Sequence, residues 1–396
     1  MRRFVLVVLD SFGVGAMDDC PVVRPGSVGQ NTALHLIERK NLYLPTLEKL
    51  GIMNAIGKET GRMHFCPEAN YAVSELAHFG ADTFQGHQEI IGTKPKEPVF
   101  QSVLSHMDET EEDLKANGFR TKRYTKDGNT LLIVNDSVTV ADNMESDPGQ
   151  VINVSGTFDV SDFDTVVKIG RIVRRHYQTS RVIALGGENV PFSQMLDSVI
   201  CRGEFIGLDT SKSGVYHQGY QCRHLGYGVD ETKQAPHALR EVGVTTYMYG
   251  KAADILINDH GVNFPGVETG YLLDGLIRDL GEVREKAFFC LNVQETDLAG
   301  HQCDPDAYAK ALEISDEKLA VILRMLDDDD VMIVMADHGN DPYSGSNLHS
   351  RERVPVLIRN TAFTGKYFGV RKTMADVGQT VAHYFGTQLE NGEAIF

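Results

Sequence analysis

Acidic and imidazole side chains stand where apolar segments of this chain end. Asp10 closes the apolar run 4–9, and Asp337 and His338 directly follow the run 331–336. Three more candidates lie near the second run: Asp297 and His301 before it, and His349 after it. The candidate metal ligands are therefore Asp10, Asp297, His301, Asp337, His338 and His349. Carboxylate oxygens and imidazole nitrogens suit Mn²⁺, Zn²⁺, iron or Mg²⁺. Because open α/β sheets bind ligands at the carboxyl ends of their strands, the pattern predicts a metal centre at that edge.

A paired metal site is the usual device for phosphoryl transfer, because one ion activates the nucleophile while both withdraw charge from the transferring group. The candidate nucleophile is Thr83, in the segment 80–89. A threonine hydroxyl reacts only when a base or a metal ion activates it. An Asp-Thr pair close to glycine is also common turn chemistry. The residue types alone therefore favour a nucleophile and a helix or turn cap equally.

Strand and helix patterns alternate at both ends of the chain. The strand candidates are residues 4–9, 245–249, 287–293, 331–336 and 354–358, and the long helical patterns are 270–280 and 306–326. Such alternation predicts parallel crossover units. We expect an α/β fold, with a central mostly parallel sheet between helices.

The middle of the chain has a different sequence pattern, with short β-rich segments and many polar loops. Candidate ligands lie on both sides of it, which indicates an inserted domain. We expect a metal-binding catalytic core of residues 1–96 and 223–396, and an inserted α+β cap, or substrate domain, of residues 97–222.

Composition excludes several other classes of protein. The length of 396 residues, with 42% hydrophobic and 23% charged residues, predicts a two-domain globular protein. The formal charge of −17 argues against nucleic acid as a partner. No apolar stretch approaches the roughly 18 residues that a membrane helix needs, and residues 1–13 lack a cleavage site. We therefore expect no membrane association and a cytoplasmic location, with the six scattered cysteines reduced.

Several motifs together resemble the phosphopentomutases of the alkaline phosphatase superfamily. They are residues 9–15, Asp82-Thr83 with Gly86-His87 and Glu89-Ile90-Ile91-Gly92, Gly250-Lys251 with Asp254-Ile255, Asp297 with Gly300-His301, residues 336–342, and His349-Ser350-Arg351-Glu352. These motifs span both ends of the chain. The central domain is similar only in position and size.

The resemblance implies an alkaline-phosphatase-like core with two Mn²⁺ ions and an inserted cap. By motif position it assigns one metal to Asp10, Asp337 and His338, and the other to Asp297, His301 and His349. It implies that Thr83 carries the phosphoryl group between the 1- and 5-positions of ribose or deoxyribose phosphate. A sugar bisphosphate would be the activator, and the partner a small phosphorylated metabolite. Its expected substrate contacts are Asp136, Ser137, Lys251 and Arg351.

The chain also departs from the family pattern. Around Thr83 the family has Lys, Thr and Trp where this sequence has Ala81, Gln85 and Gln88. In the cap, an arginine-rich run becomes Leu185-Gly186-Gly187-Glu188-Asn189. These changes leave three alternatives open: a mutase of the same mechanism with another phosphorylated substrate, a metal-dependent phosphatase or phosphonate hydrolase, and an inactive binding protein. The sequence determines neither the natural substrate nor the oligomeric state.

Overall fold

A computed structural model describes residues 2–146, 148–216 and 218–396. The chain divides into two units: Met1–Pro95 together with Asp230–Phe396, and Lys96–Val229. The strands in chain order are β1 (Arg3–Leu9), β2 (Asn70–Ser74), β3 (Thr121–Lys126), β4 (Asn129–Val134), β5 (Val138–Asp142), β6 (Val151–Thr157), β7 (Arg181–Gly187), β8 (Val199–Arg202), β9 (Phe205–Leu208), β10 (Gln221–Gly226), β11 (Thr245–Tyr249), β12 (Val262–Phe264), β13 (Ala287–Val293), β14 (Val331–Met335), β15 (Val354–Arg359) and β16 (Tyr367–Arg371).

The helices vary from one turn to six. In chain order they are α1 (Cys20–Val23), α2 (Thr32–Lys40), α3 (Pro45–Leu50), α4 (Ile52–Ile56), α5 (Thr83–Ile90), α6 (Met107–Ala116), α7 (Phe163–Arg174), α8 (Phe192–Asp197), α9 (Thr210–Ser213), α10 (Ala235–Glu241), α11 (Lys251–Ile255), α12 (Thr269–Glu282), α13 (Glu295–His301), α14 (Pro305–Met325) and α15 (Ala375–Phe385). Short 3₁₀ turns occur at Pro25–Ser27, Val103–His106 and Glu231–Lys233. None of the helices described combines the length and apolar character needed to cross a membrane.

The first unit is built on an eight-stranded sheet of order β12-β11-β13-β1-β14-β15-β2-β16. Strands β12 through β14 in this order are parallel, and β2 pairs in parallel with β16. Strand β15 is antiparallel to both of its neighbours. The predicted α/β class with a mostly parallel sheet is therefore confirmed. The direction of β15 and the strands β2, β12 and β16 were not predicted from the sequence.

The central strands of this sheet are continuous apolar runs. Every residue of β1, β13 and β14 is buried, as expected of strands covered on both faces. Helices α2, α3, α12 and α14 form one packed group, and α5, α10 and α15 form another. Helix α14 begins with a side-chain cap: the Asp304 carboxylate accepts the amides of Asp306 and Ala307, and Pro305 occupies the first turn.

The second unit has its own sheet and its own hydrophobic core. The strand order is β10-β7-β6-β5-β4-β3, in which only the pair β6–β7 is parallel among the strands described. Helix α7 packs on β6 and β7, and β8 and β9 form a separate antiparallel pair. Because β10 pairs with β7, this unit extends to Val229, beyond the boundary expected at residue 222.

Candidate active site

The first group of candidate ligands lies at the ends of two adjacent strands. Asp10 follows β1, and Asp337 and His338 follow β14, so the parallel pairing of these strands brings the three side chains together. Their ligand atoms lie within 4.8 Å of one another, and all three residues are fully buried. The imidazole Nε2 of His338 is 3.3 Å from Asp337 Oδ2 and 3.6 Å from Asp10 Oδ1.

The second group combines a helix with a loop. Asp297 and His301 are one turn apart on α13, and His301 Nε2 is 3.4 Å from Asp297 Oδ2. His349 enters from the loop before β15, with its Nε2 3.3 Å from Asp297 Oδ1. This group is more open than the first, because His301 is exposed and His349 is half-buried. The structure thus brings together all six predicted ligands, in the two groups that the resemblance implies.

The three imidazoles direct the same nitrogen into the site. Their Nδ1 atoms contact the carbonyl oxygens of Gly339 (His338, 3.0 Å), Asn347 (His301, 2.7 Å) and Ala81 (His349, 2.8 Å). Since a carbonyl oxygen only accepts, each Nδ1 carries a proton, and Nε2 is the nitrogen that each ring turns inward. The Nε2 atoms of His301 and His349 face each other at 2.9 Å. Two inward-facing imidazole nitrogens beside a carboxylate fit a bound cation.

The buried first group fits a metal ion for a second reason. Asp10 Oδ1 and His338 Nε2 have no hydrogen-bond partner among the described residues, and such buried polar atoms are costly unless something binds them. Burial and the neighbouring Asp337 raise the pKa of Asp10 to about 7, whereas burial lowers the pKa of His338 to about 3. His338 is therefore neutral, the form that binds a metal. A cation would hold Asp10 ionised at neutral pH.

Thr83 is the first residue of α5 and contacts the first ligand group. The helix cap is Asp82, whose carboxylate accepts the amide of Gln85 at 2.9 Å, so the Thr83 hydroxyl is not needed for capping. Its Oγ1 donates to Asp337 Oδ2 at 2.7 Å. The helix N-terminus adds a partial positive charge at this point, which favours an anionic phosphoryl group.

Lys251, at the start of α11, also reaches this centre. Its Nζ lies 2.7 Å from Asp10 Oδ2, 3.0 Å from Thr83 Oγ1 and 3.4 Å from Asp297 Oδ2. The ammonium therefore contacts both ligand groups and the candidate nucleophile. It supplies positive charge beside the candidate nucleophile.

His87 was not among the predicted site residues. It lies one turn after Thr83 on α5, with its Nδ1 3.0 Å from Thr83 O and 3.2 Å from Asp337 Oδ2. Gly86 favours the close approach of α5 to Asp337, because a Cβ there would lie only 3.1 Å from Asp337 O. The spacing of four residues between Thr83 and His87 was the signal available in the sequence.

The guanidinium of Arg351 makes its hydrogen bonds within the protein. Its Nε and one Nη2 hydrogen reach Asp19 at 2.9 and 2.8 Å. The remaining donors bind the carbonyl oxygens of Leu76 (3.0 Å), His78 (2.7 Å) and Gly80 (2.7 Å). All five N–H groups of a guanidinium are thereby used. Arg351 thus holds the segment that leads to Thr83, which argues against the expected substrate contact.

The other two expected substrate contacts lie in the second unit. Asp136 is exposed and pairs with Lys122 at 2.5 Å. Ser137 is fully buried, and its hydroxyl contacts the Ser161 hydroxyl at 2.7 Å. Within this unit the buried Ser137 is inaccessible to a ligand. Of these two residues, only Asp136 has its side chain at the surface.

Comparison with known proteins identifies the family. A family model described as the metalloenzyme superfamily matches residues 2–389. A phosphopentomutase of Desulfitobacterium hafniense is 30% identical over 410 residues, covering all of this chain and 98% of that protein. One from Caldanaerobacter subterraneus is 28% identical, covering 97% of this chain and 94% of that protein. Among solved structures, Leishmania mexicana phosphoglycerate mutase has 12% identity and a TM-score of 0.49, covering 99% of this chain and 97% of that chain.

The family model spans nearly the whole chain, and the 30% identity to the Desulfitobacterium protein extends over the full length of both sequences. The resemblance inferred from the motifs is therefore confirmed. The chain belongs to the phosphopentomutase family of the metalloenzyme superfamily, and is a metal-dependent phosphomutase.

Proposed function

We propose that this protein interconverts the 1- and 5-phosphates of ribose or deoxyribose, through a phosphothreonine at Thr83 and two divalent metal ions, with Mn²⁺ expected. The observation that carries the proposal is the position of the Thr83 hydroxyl. It lies 2.7 Å from a carboxylate of the first ligand group, and Lys251 links it to the second. A hydroxyl beside one metal ligand set, with an ammonium that joins it to a second set, suits phosphoryl transfer.

The two ligand groups would each hold one ion. Asp10, Asp337 and His338 would bind the first, and Asp297, His301 and His349 the second. When bound, such ions act as Lewis acids that lower the pKa of the hydroxyl and neutralise charge on the transferring group.

Thr83 would accept and return the phosphoryl group. In the first half-reaction, a bond from the phosphothreonine phosphorus to the free hydroxyl oxygen of a sugar monophosphate forms as the bond to Oγ1 breaks. In the second, Oγ1 bonds to the phosphorus of the other phosphoryl group as the bond from that phosphorus to its sugar oxygen breaks. The proton of the sugar hydroxyl passes to Oγ1 in the first half-reaction and returns to the freed sugar oxygen in the second. The Lys251 ammonium and the N-terminus of α5 stabilise negative charge at Oγ1 in both. A catalytic amount of sugar bisphosphate would prime the unphosphorylated enzyme.

We further propose that the second unit, Lys96–Val229, is the substrate domain. An observation in this unit favours a second candidate function, a mutase of the same mechanism with another phosphorylated substrate. A Cβ at Gly186 would lie 2.4 Å from Gly156 O, and one at Gly187 would lie 2.6 Å from Val215 O. The end of β7 therefore has no room for the arginine side chains of the family pattern, and a guanidinium contact to a distal phosphate cannot come from these positions.

The test is an assay of the Mn²⁺-loaded protein with ribose 1-phosphate and a trace of ribose 1,5-bisphosphate, followed by ³¹P NMR. Formation of ribose 5-phosphate without free phosphate is the expected result. Thr83→Val is the matched control, because it keeps the shape of the side chain and removes only the hydroxyl. Free phosphate as the main product would replace the proposal with a hydrolase. No turnover by protein that holds two metals would favour the second candidate.

A further inference from the structure

Ser11, the residue after Asp10, has a backbone conformation that few residues other than glycine adopt. Its φ is +66°, in the left-handed region. Such a conformation persists only where the surrounding structure enforces it, and it is concentrated at functional sites. Ser11 is fully buried at the end of β1, so its neighbours must supply that enforcement.

The main chain of Ser11 contacts the first ligand group directly and is linked to the second through Asn340. Its N–H donates to Asp337 Oδ1 at 3.0 Å. Its carbonyl accepts the amide of Asn340 at 3.1 Å, and the Asn340 side-chain amide donates to Asp297 Oδ1 at 3.1 Å. The left-handed turn therefore positions one carboxylate of the first group directly, and one of the second through a single intermediary.

The side chain of Ser11 is held by Tyr308 of α14. The two hydroxyl oxygens are 2.9 Å apart, and the Tyr308 hydroxyl is also 3.4 Å from Asp10 O. One arrangement satisfies both groups: Ser11 donates to the tyrosine oxygen, and Tyr308 donates to the Asp10 carbonyl. Tyr308 is fully buried. Glycine would take the same φ more easily, but it would lack this anchor.

We propose that Ser11 and Tyr308 form a positioning pair for the metal centre. Tyr308 holds Ser11 in its left-handed conformation, so that the Ser11 amide fixes Oδ1 of Asp337 and leaves Oδ2 facing Thr83 and the first metal position. The inference rests on the metal centre of the proposed function. It adds two residues that touch neither metal nor substrate. It also gives the left-handed backbone of Ser11 a function, which is to orient Asp337.

The test measures metal binding and not turnover. Full-length wild type, Tyr308→Phe, Ser11→Gly and the double variant are equilibrated with Mn²⁺ buffers of graded free concentration, and bound manganese per chain is determined by elemental analysis. Tyr177→Phe is the matched control, since it removes another buried tyrosine hydroxyl that donates to a carbonyl oxygen, Val103 O at 2.6 Å. Thermal unfolding of each variant verifies the fold.

Each single variant should require about tenfold more free Mn²⁺ for half-occupancy, within the range known for residues that orient metal ligands. The double variant should bind no more weakly than either single one, because the two residues act as a unit. Tyr177→Phe should match the wild type. Mn²⁺ binding curves of the single variants that coincide with the wild-type curve would contradict the proposed positioning pair. A double variant whose loss of Mn²⁺ affinity is the product of the two single losses would contradict it as well. Wild type without bound Mn²⁺ would instead overturn the metal centre itself, and with it the proposed function.

Should Tyr308→Phe fail to fold, Ser11→Gly decides the question, because glycine adopts a positive φ without strain and removes no apolar contact.

Discussion

Thr83 Oγ1 donates a 2.7 Å hydrogen bond to Asp337 Oδ2, although the two residues are 254 positions apart in the chain. The bond joins the first turn of α5 to the end of β14. The first residue of a helix and a buried carboxylate at a strand end thereby lie side by side in the candidate active site. The mechanism and the metal binding that we propose both depend on this contact, and they can be tested separately.

Thr83→Val should abolish phosphoryl transfer while the protein keeps its fold and its metals. The hydroxyl is the only group removed, and Asp82, not Thr83, caps α5. Incubation with sugar bisphosphate followed by intact-mass spectrometry should show a phosphorylated wild type and an unmodified variant. A phosphorylated Thr83→Val protein would remove this residue from the mechanism.

Asp337→Asn should lose bound metal and activity together. The substitution removes a charged ligand from a fully buried group, where no water can replace it. Elemental analysis after dialysis measures the effect. Asp316→Asn is the control, because this buried carboxylate accepts the amides of Thr46 and Leu47 and lies outside both ligand groups. Equal metal content in the two variants would contradict the assignment.

Lys251→Met should separate chemistry from metal binding. The ammonium contacts Asp10, Thr83 and Asp297, so its loss removes charge stabilisation from the transferring group. We expect kcat to fall by about 10²–10³, as for the loss of one preorganised electrostatic donor. Mn²⁺ affinity should stay equal or rise, because a competing positive charge is gone. Weaker Mn²⁺ binding would show that Lys251 acts mainly by supporting the ligands.

Much of this centre was visible in the sequence, because strand ends can be read from apolar runs. Asp10 and Asp337 each follow such a run, and the parallel pairing of β1 with β14 brings them together. The antiparallel direction of β15 was not visible, because an apolar run does not encode strand direction. Nor was the role of Arg351, since three of its four partners are backbone carbonyl oxygens about 270 positions away, as in the contact with Gly80. Contacts to the main chain leave no trace in the types of the residues involved.

Arg351→Lys should lower kcat and leave KM unchanged. The planar guanidinium holds three carbonyl oxygens of the segment before Thr83, and a lysine cannot reproduce this fork. The nucleophile would be misplaced, and loss of geometry lowers the rate of the chemical step. A residue that binds substrate would raise KM instead. Steady-state kinetics with ribose 1-phosphate therefore distinguish the positioning role from the substrate contact expected from the sequence.

Glu89, on α5, should control stability in acid. Both Glu89 and His78 are fully buried, with a 2.8 Å contact between them, and the carboxylate also accepts hydrogen bonds from the amides of Ala77 and Met374. Burial raises the pKa of Glu89, but the contacts with His78 and the other donors outweigh it and lower the pKa below its ordinary value of 4.5. Because the folded state binds the proton less tightly than the unfolded state, this stabilisation is present above pH 4.5 and is lost as the pH falls through the lower, folded value.

Glu89→Gln should therefore cost about 3 kcal/mol at neutral pH, because buried donors that face the lost carboxylate oxygen are left without an acceptor. The difference in the free energy of unfolding between Glu89→Gln and the wild type should shrink as the pH falls below 4.5, the ordinary pKa of this group. Denaturant unfolding at several pH values measures both effects. Glu75→Gln is the control, since this carboxylate and its partners Lys372 and Arg353 are all partly exposed, and ion pairs open to solvent contribute at most about 1 kcal/mol each. A constant difference between Glu89→Gln and wild type at all pH values would contradict the linkage, because the lost stability would then come from packing and not from the ionised carboxylate.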